Sequence, residues 1–150
     1  MPQSLSKMYM HLVFSTRYQE NLIDSEIEKE LYAYMGKVIK ECDSIPIIIN
    51  GIENHIHILF LLSRKHPICD IVEQVKKNSS KWIKTKGNKY KSFFWQRGYG
   101  SFSVSPPLVN VVQAYIINQK EHHKKTSFKE EYIKFMRQYG IDYDERYMWD

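Results

Sequence analysis

The run Ile52-Glu53-Asn54-His55-Ile56-His57-Ile58-Leu59-Phe60-Leu61-Leu62 constrains this chain more than any other segment. Its density of Ile, Leu and Phe predicts a long strand in the middle of a sheet. Strand side chains alternate between faces, so His55 and His57 point one way while Ile56 and Ile58 point the other. Two imidazoles at neighbouring positions on one face can converge on one metal ion. The same spacing also fits two half-exposed strand histidines. Glu53 shares the histidine face and either assists or stands as a solvated carboxylate near a turn.

The rest of the chain supplies elements around that strand. Met8–Thr16 is rich in β-branched and aromatic residues and predicts a first strand. Asp24 suits a helix cap, and Ile27, Leu31, Tyr34, Val38 and Ile39 recur at helical spacing. Ile45–Ile49 predicts a second strand, with Pro46 at an edge or entry position. Asn50-Gly51 predicts a hairpin turn. A helix follows Pro67, with Ile68, Ile71, Val72, Val75 and Trp82 as its apolar face, and Phe102–Ser105 gives a fourth strand. Ser105-Pro106-Pro107 starts a third helix running to about His123. A last helix covers Phe128–Tyr139. The order β-α-β-β-α-β with extra helices is the split βαβ, or ferredoxin-like, α+β plan: an antiparallel sheet with helices on one face, the other face free for a site. At 150 residues the chain makes one domain, with a core of about 8–123 and a helical extension of about 124–150.

Composition narrows the function classes. Cys42 and Cys69 lie far apart and outside any C-x-x-C pair, which argues against a disulfide framework or a cysteine zinc site and suits a reducing cytoplasm. No apolar run reaches the roughly 20 residues a membrane span needs. The net charge of +5 suits a polyanionic partner. That charge concentrates in 76–97, where Lys76, Lys77, Lys81 and Arg97 alternate with Trp82, Tyr90, Phe93, Phe94 and Trp95 and no acid intervenes. Lysines attract phosphates and aromatics stack on unpaired bases, so Lys76, Lys77, Lys81, Trp82 and Arg97 are candidate DNA contacts. A basic solvated loop over core aromatics is the plainer alternative.

On the third helix, Tyr115 and Gln119 lie one turn apart on one face. A phenol is a poor nucleophile near neutral pH, and a divalent cation on the target phosphate would help it. Gln119 offers a neutral oxygen to such an ion. A core tyrosine would show the same spacing, and the chain has eleven tyrosines. His122 and His123 either reach the same ion or a phosphate, or sit at a solvated helix end.

Taken together, His55-Ile56-His57, Tyr115-Ile116-Ile117-Asn118-Gln119, Phe94-Trp95-Gln96-Arg97-Gly98-Tyr99 and the opening Tyr9–Tyr18 resemble the single-tyrosine HUH transposases of the insertion-sequence 200/605 group. The resemblance covers about Tyr9 to Lys120. It implies that His55, His57 and Gln119 hold Mg²⁺ or Mn²⁺ and that Tyr115 attacks single-stranded DNA at hairpin-bearing element ends. The products would be a 5′-phosphotyrosine link and a free 3′-hydroxyl. It also implies a homodimer. The Asp144-Glu145-Arg146-Tyr147 run resembles a branch with a longer tail. Rival readings are a non-catalytic nucleic-acid-binding module of the RNA-recognition type, disfavoured by histidines where stacking aromatics belong, and a domesticated relative serving its host.

Overall fold

The computed structural model describes residues 2–150. Four strands, β1 (Tyr9–Ser15), β2 (Ile45–Ile52), β3 (His55–Leu61) and β4 (Gly100–Val104), form one antiparallel sheet in the order β2-β3-β1-β4. Helix α1 (Glu28–Glu41) links β1 to β2, and α2 (Ile68–Lys84) links β3 to β4. This is the ferredoxin-like arrangement that the element order predicts. The apolar β3 lies inside, and β2, with Pro46 and a register shift beside it, lies at an edge. The Asp24 carboxylate accepts the amides of Glu26 and Ile27, both at 3.1 Å, and so caps the turn that leads into α1.

Strand alternation divides the molecule. Leu12, Phe14, Ile56, Ile58 and Phe60 pack on Leu31, Met35 and Ile39 of α1 and on Ile71, Val75 and Ile83 of α2. Each large apolar side chain buried there stabilises the fold by roughly 1.5–3 kcal/mol. The opposite face carries Val13, His55, His57 and Leu59. The two-layer expectation leaves that face free, but three further helices, α3 (Val109–Ile117), α4 (Gln119–His122) and α5 (Phe128–Gln138), roof it. Ile116 packs with Leu59 and Val104, while Phe128, Tyr132 and Met136 pack with Val13 and Phe102. The site face is therefore enclosed.

Two expectations need correction. The β2–β3 turn is Glu53-Asn54, and Asn50-Gly51 belongs to the strand, where Asn50 pairs with His57 and Gly51 with Ile56. The Asn50 side chain instead reaches the roof, where its Nδ2 donates to the carbonyls of Ile116 at 2.9 Å and Ile117 at 3.2 Å. That contact explains the second correction. The third helix does not run unbroken to His123 but breaks at Asn118, and Asn50 takes the carbonyls left free there. Gly51 is required for a different reason. A Cβ on it would lie 2.1 Å from the His55 carbonyl oxygen, backbone that cannot swing aside.

Gly51→Ala should therefore cost about 3 kcal/mol, read as a lower urea midpoint. Gly36→Ala in α1, where a Cβ meets no atom closer than 3.9 Å, should raise the midpoint by the equivalent of about 0.5–1 kcal/mol. Equal effects from the two changes would refute the close-approach argument.

Candidate active site

Strand β3 presents His55 and His57, both fully buried, toward the roof of helices. Each imidazole has one nitrogen fixed from the sheet side. His55 Nδ1 lies 2.8 Å from Asn54 Oδ1, and His57 Nδ1 lies 2.8 Å from Nε2 of His11 on β1. Contacts of this kind set tautomer and ring orientation. They leave both Nε2 atoms aimed at one place, which Glu131 of α5 fills. Glu131 Oε1 lies 2.9 Å from His57 Nε2, 3.4 Å from His55 Nε2 and 3.1 Å from His123 Nε2. Its Oε2 accepts from Gln119 Nε2 at 3.1 Å and from the Tyr115 hydroxyl, and lies 3.3 Å from His122 Nε2.

The electrostatics follow from this packing. Burial by itself would push the Glu131 carboxyl up, but the charge of His57 and hydrogen bonds from His123, His55 and His57 hold it far below the usual carboxylate range. Burial would lower His123, yet its hydrogen bond to Glu131 and that residue's charge raise it. His55 is pulled down to about 4, chiefly by burial, so near neutral pH its ring is neutral. Its Nε2 faces Gln119 Oε1 at 3.2 Å and Glu131 Oε1 at 3.4 Å. Ring nitrogens and carboxylate and amide oxygens converge here, which is the kind of donor set that binds a cation.

The donor set fits one. Ligand atoms of His55, His57, His123 and Glu131 all lie within 4.8 Å of one another. Three imidazoles and a carboxylate, with the Gln119 oxygen beside them, suit a borderline divalent ion; of Mg²⁺ and Mn²⁺, the latter matches the nitrogen ligands better.

Tyr115 belongs to the same cluster. Its ring centroid lies 5.9 Å from that of His57, and its hydroxyl is 3.4 Å from His122 Nε2. Burial, the charge of Glu131 and the hydrogen bond to it push the phenol above its ordinary value. A cleft of about 410 Å³, lined by His11, Tyr115, His122, Glu131 and Phe135 among others, opens on this hydroxyl. Tyr115, Gln119 and both strand histidines thus meet within one chain.

Sequence reasoning missed Glu131, His11 and Asn54. Signals for two of them exist: Phe128, Tyr132 and Met136 mark the buried stripe of α5, with Glu131 on the same side, and His11 interrupts an apolar strand two residues before Val13, the partner of His57. Glu53 stands exposed, and its carbonyl accepts from Leu22 and Ile23.

The candidate DNA contacts Lys76, Lys77, Lys81 and Trp82 share α2, and Arg97 lies beside Lys76. Lys77, Lys81 and Arg97 are exposed. Lys76 is half-buried, and its Nζ donates to the carbonyls of Gln96 (2.8 Å), Arg97 (3.2 Å) and Gly98 (2.6 Å). Burial draws its ammonium down to about 8. Trp82 is stacked on Tyr34 at 5.0 Å.

A sheet with a buried histidine pair, a carboxylate and a tyrosine around one point defines a chain equipped to hold a cation beside a phenol. Over residues 4–119 it matches the family model described as "Transposase IS200 like", and it belongs to that family. No curated protein matches it. Among solved structures it resembles a protein of Deinococcus radiodurans R1 assigned as a transposase: 20% identity and a TM-score of 0.61, over 79% of this chain and 98% of that one. It also resembles a REP-associated tyrosine transposase bound to a REP hairpin: 12% identity and a TM-score of 0.56, over 81% of this chain and 73% of that one. At these identities the likeness shows the fold. Among the described residues, no helix is long and apolar enough to cross a membrane.

Adding Mn²⁺ to chelator-treated protein should raise its melting temperature. At a hundredfold excess over Kd the gain is about 2.7 kcal/mol. His57→Ala and Glu131→Ala should each abolish the shift; an undiminished shift in both would exclude this cluster as the metal site.

Proposed function

We propose that this transposase cleaves and rejoins single-stranded DNA through a 5′-phosphotyrosine intermediate, with Tyr115 as the nucleophile. The observation that carries the reading is the meeting of the Tyr115 hydroxyl with His55, His57 and Gln119 around the Glu131 carboxylate. His55, His57, His123 and Glu131, with the Gln119 oxygen, would hold the divalent ion. Once bound, Mg²⁺ or Mn²⁺ would draw charge from the scissile phosphate and make it more electrophilic.

The remaining steps belong to the chain. Glu131 Oε2 accepts the hydrogen bond of the phenol and fixes where its oxygen points. His11 and Asn54 hold the two strand imidazoles in register, and Asn50 holds the break beside the tyrosine helix. The Tyr115 oxygen attacks phosphorus and gives up its proton, the O–P bond to the 3′ oxygen breaks, and that oxygen takes up a proton to leave as a free 3′-hydroxyl. A 3′-hydroxyl from another end can reverse the exchange, because the phosphotyrosine link keeps the energy of the broken phosphodiester.

The substrate reading is a DNA hairpin near an element's end, with unpaired flanks. The solved relative bound to a REP hairpin supports it. Since one chain supplies both tyrosine and histidines, the homodimer implied by the family resemblance would serve to bring two DNA ends together rather than to complete a site.

A single-stranded hairpin substrate nicked just beyond the scissile position should trap a covalent protein–DNA band with Mn²⁺. Tyr115→Phe should lose the band while keeping affinity within about threefold, since one hydroxyl's net worth in binding is about 0.5 kcal/mol or slightly more. An adduct in Tyr115→Phe would overturn the assignment. The exposed cations give a separate outcome. Lys81→Ala and Arg97→Ala should each lower the slope of log affinity against log salt by about 0.7, as expected for one phosphate contact on a single strand. Lys76→Met should leave the slope unchanged and lower the melting temperature instead.

A further inference from the structure

Where β1 leaves the histidine pair, the chain makes a turn that ordinary residues avoid. Tyr18 and Gln19 both adopt left-handed backbone, with φ of 56° and 57°, although neither is glycine. Such conformations persist only where their surroundings fix them, and they concentrate at functional positions. Here the amide of Thr16 donates to the Asn54 carbonyl at 2.8 Å and that of Arg17 to the Phe94 carbonyl at 2.8 Å. Gln19 Nε2 reaches Ser15 Oγ at 3.3 Å and the Trp149 carbonyl at 3.2 Å.

The turn puts aromatic surface into water. Tyr18 is 59% exposed and Phe94, beside it, is 48% exposed, although large rings normally seek the interior. Cations accompany both. The Arg17 guanidinium lies 4.9 Å from the Tyr18 ring centre and 6.0 Å from that of Phe94, and Lys84 Nζ lies 4.3 Å from the Phe94 ring. Among the described residues, the lysines and arginines in ion pairs are Lys37, Lys86, Lys89, Lys120, Lys124 and Arg146, so Arg17 and Lys84 keep their charge free for a ligand. Exposed rings beside unpaired cations match the chemistry of an unpaired base and its phosphate. The place matches too. Ser15 pairs directly with His55, and three residues of chain span no more than about 11 Å.

We propose that Tyr18 and Phe94, with Arg17 and Lys84, form a stacking platform for an unpaired base of the DNA strand next to the cleavage site. This rests on the single-stranded substrate proposed above. Neither ring belongs to the cluster around Glu131.

The test uses the full chain and a short mixed-sequence DNA strand carrying 2-aminopurine at each position in turn. Wild type should quench the probe at one or two adjacent positions. Tyr18→Gly, which suits the left-handed backbone and removes only the ring, and Phe94→Ala should each abolish that quench and weaken binding about tenfold. Tyr18→Phe should retain both, and melting temperatures would show that the variants fold. No quench in wild type, or quench and affinity unchanged in Tyr18→Gly and Phe94→Ala, would overturn the platform. Adduct formation in wild type alongside unchanged variants would leave the cleavage reading standing while the platform falls. Lost quench in the variants with no adduct in wild type would do the reverse.

Discussion

A carboxylate buried among four imidazoles holds this architecture together. Glu131 touches His55 and His57 from the sheet, His122 and His123 from the segment after α3, and the hydroxyl of Tyr115. Removing one partner of a buried charge cluster leaves an uncompensated charge, typically worth about 3–5 kcal/mol. That energy ties α5 to β3 and also fixes the distance between a prospective ligand set and a prospective nucleophile. Stability and geometry therefore rest on the same contacts, and sites of this kind tolerate few changes.

The helical extension is accordingly part of the site. The family match ends at residue 119, while the residue that most of the cluster's hydrogen bonds converge on comes later in the chain. This chain supplies that group itself, from α5. The Tyr115 hydroxyl is then positioned before any substrate arrives, at the cost of a narrower approach through the cleft.

The fold was legible because its signals are local and periodic. The apolar alternation of β3 placed it inside the sheet, and the spacing of Tyr115 and Gln119 put both on one face, where they meet Glu131. The errors arose where a local signal met a tertiary demand. Asn50-Gly51 has the chemistry of a hairpin turn, but Asn50 is occupied with the carbonyls of α3, and Gly51 is there because the backbone at His55 comes too close for a side chain. A tertiary role that local sequence does not announce falls to Lys76, whose ammonium donates to three carbonyls of the 96–98 segment. Glu131 was only half legible: its place on the apolar stripe of α5 marks it as buried, but not what it meets. Nothing local says that this stripe faces histidines far away in sequence.

The roof over the histidine face has a consequence in time. All four strands and both core helices precede α5 in the chain, and terminal elements can open locally while the core stays folded. A local opening of α5 would bare the histidines to water while the sheet beneath them stays intact. An ion could then enter from above as well as through the cleft.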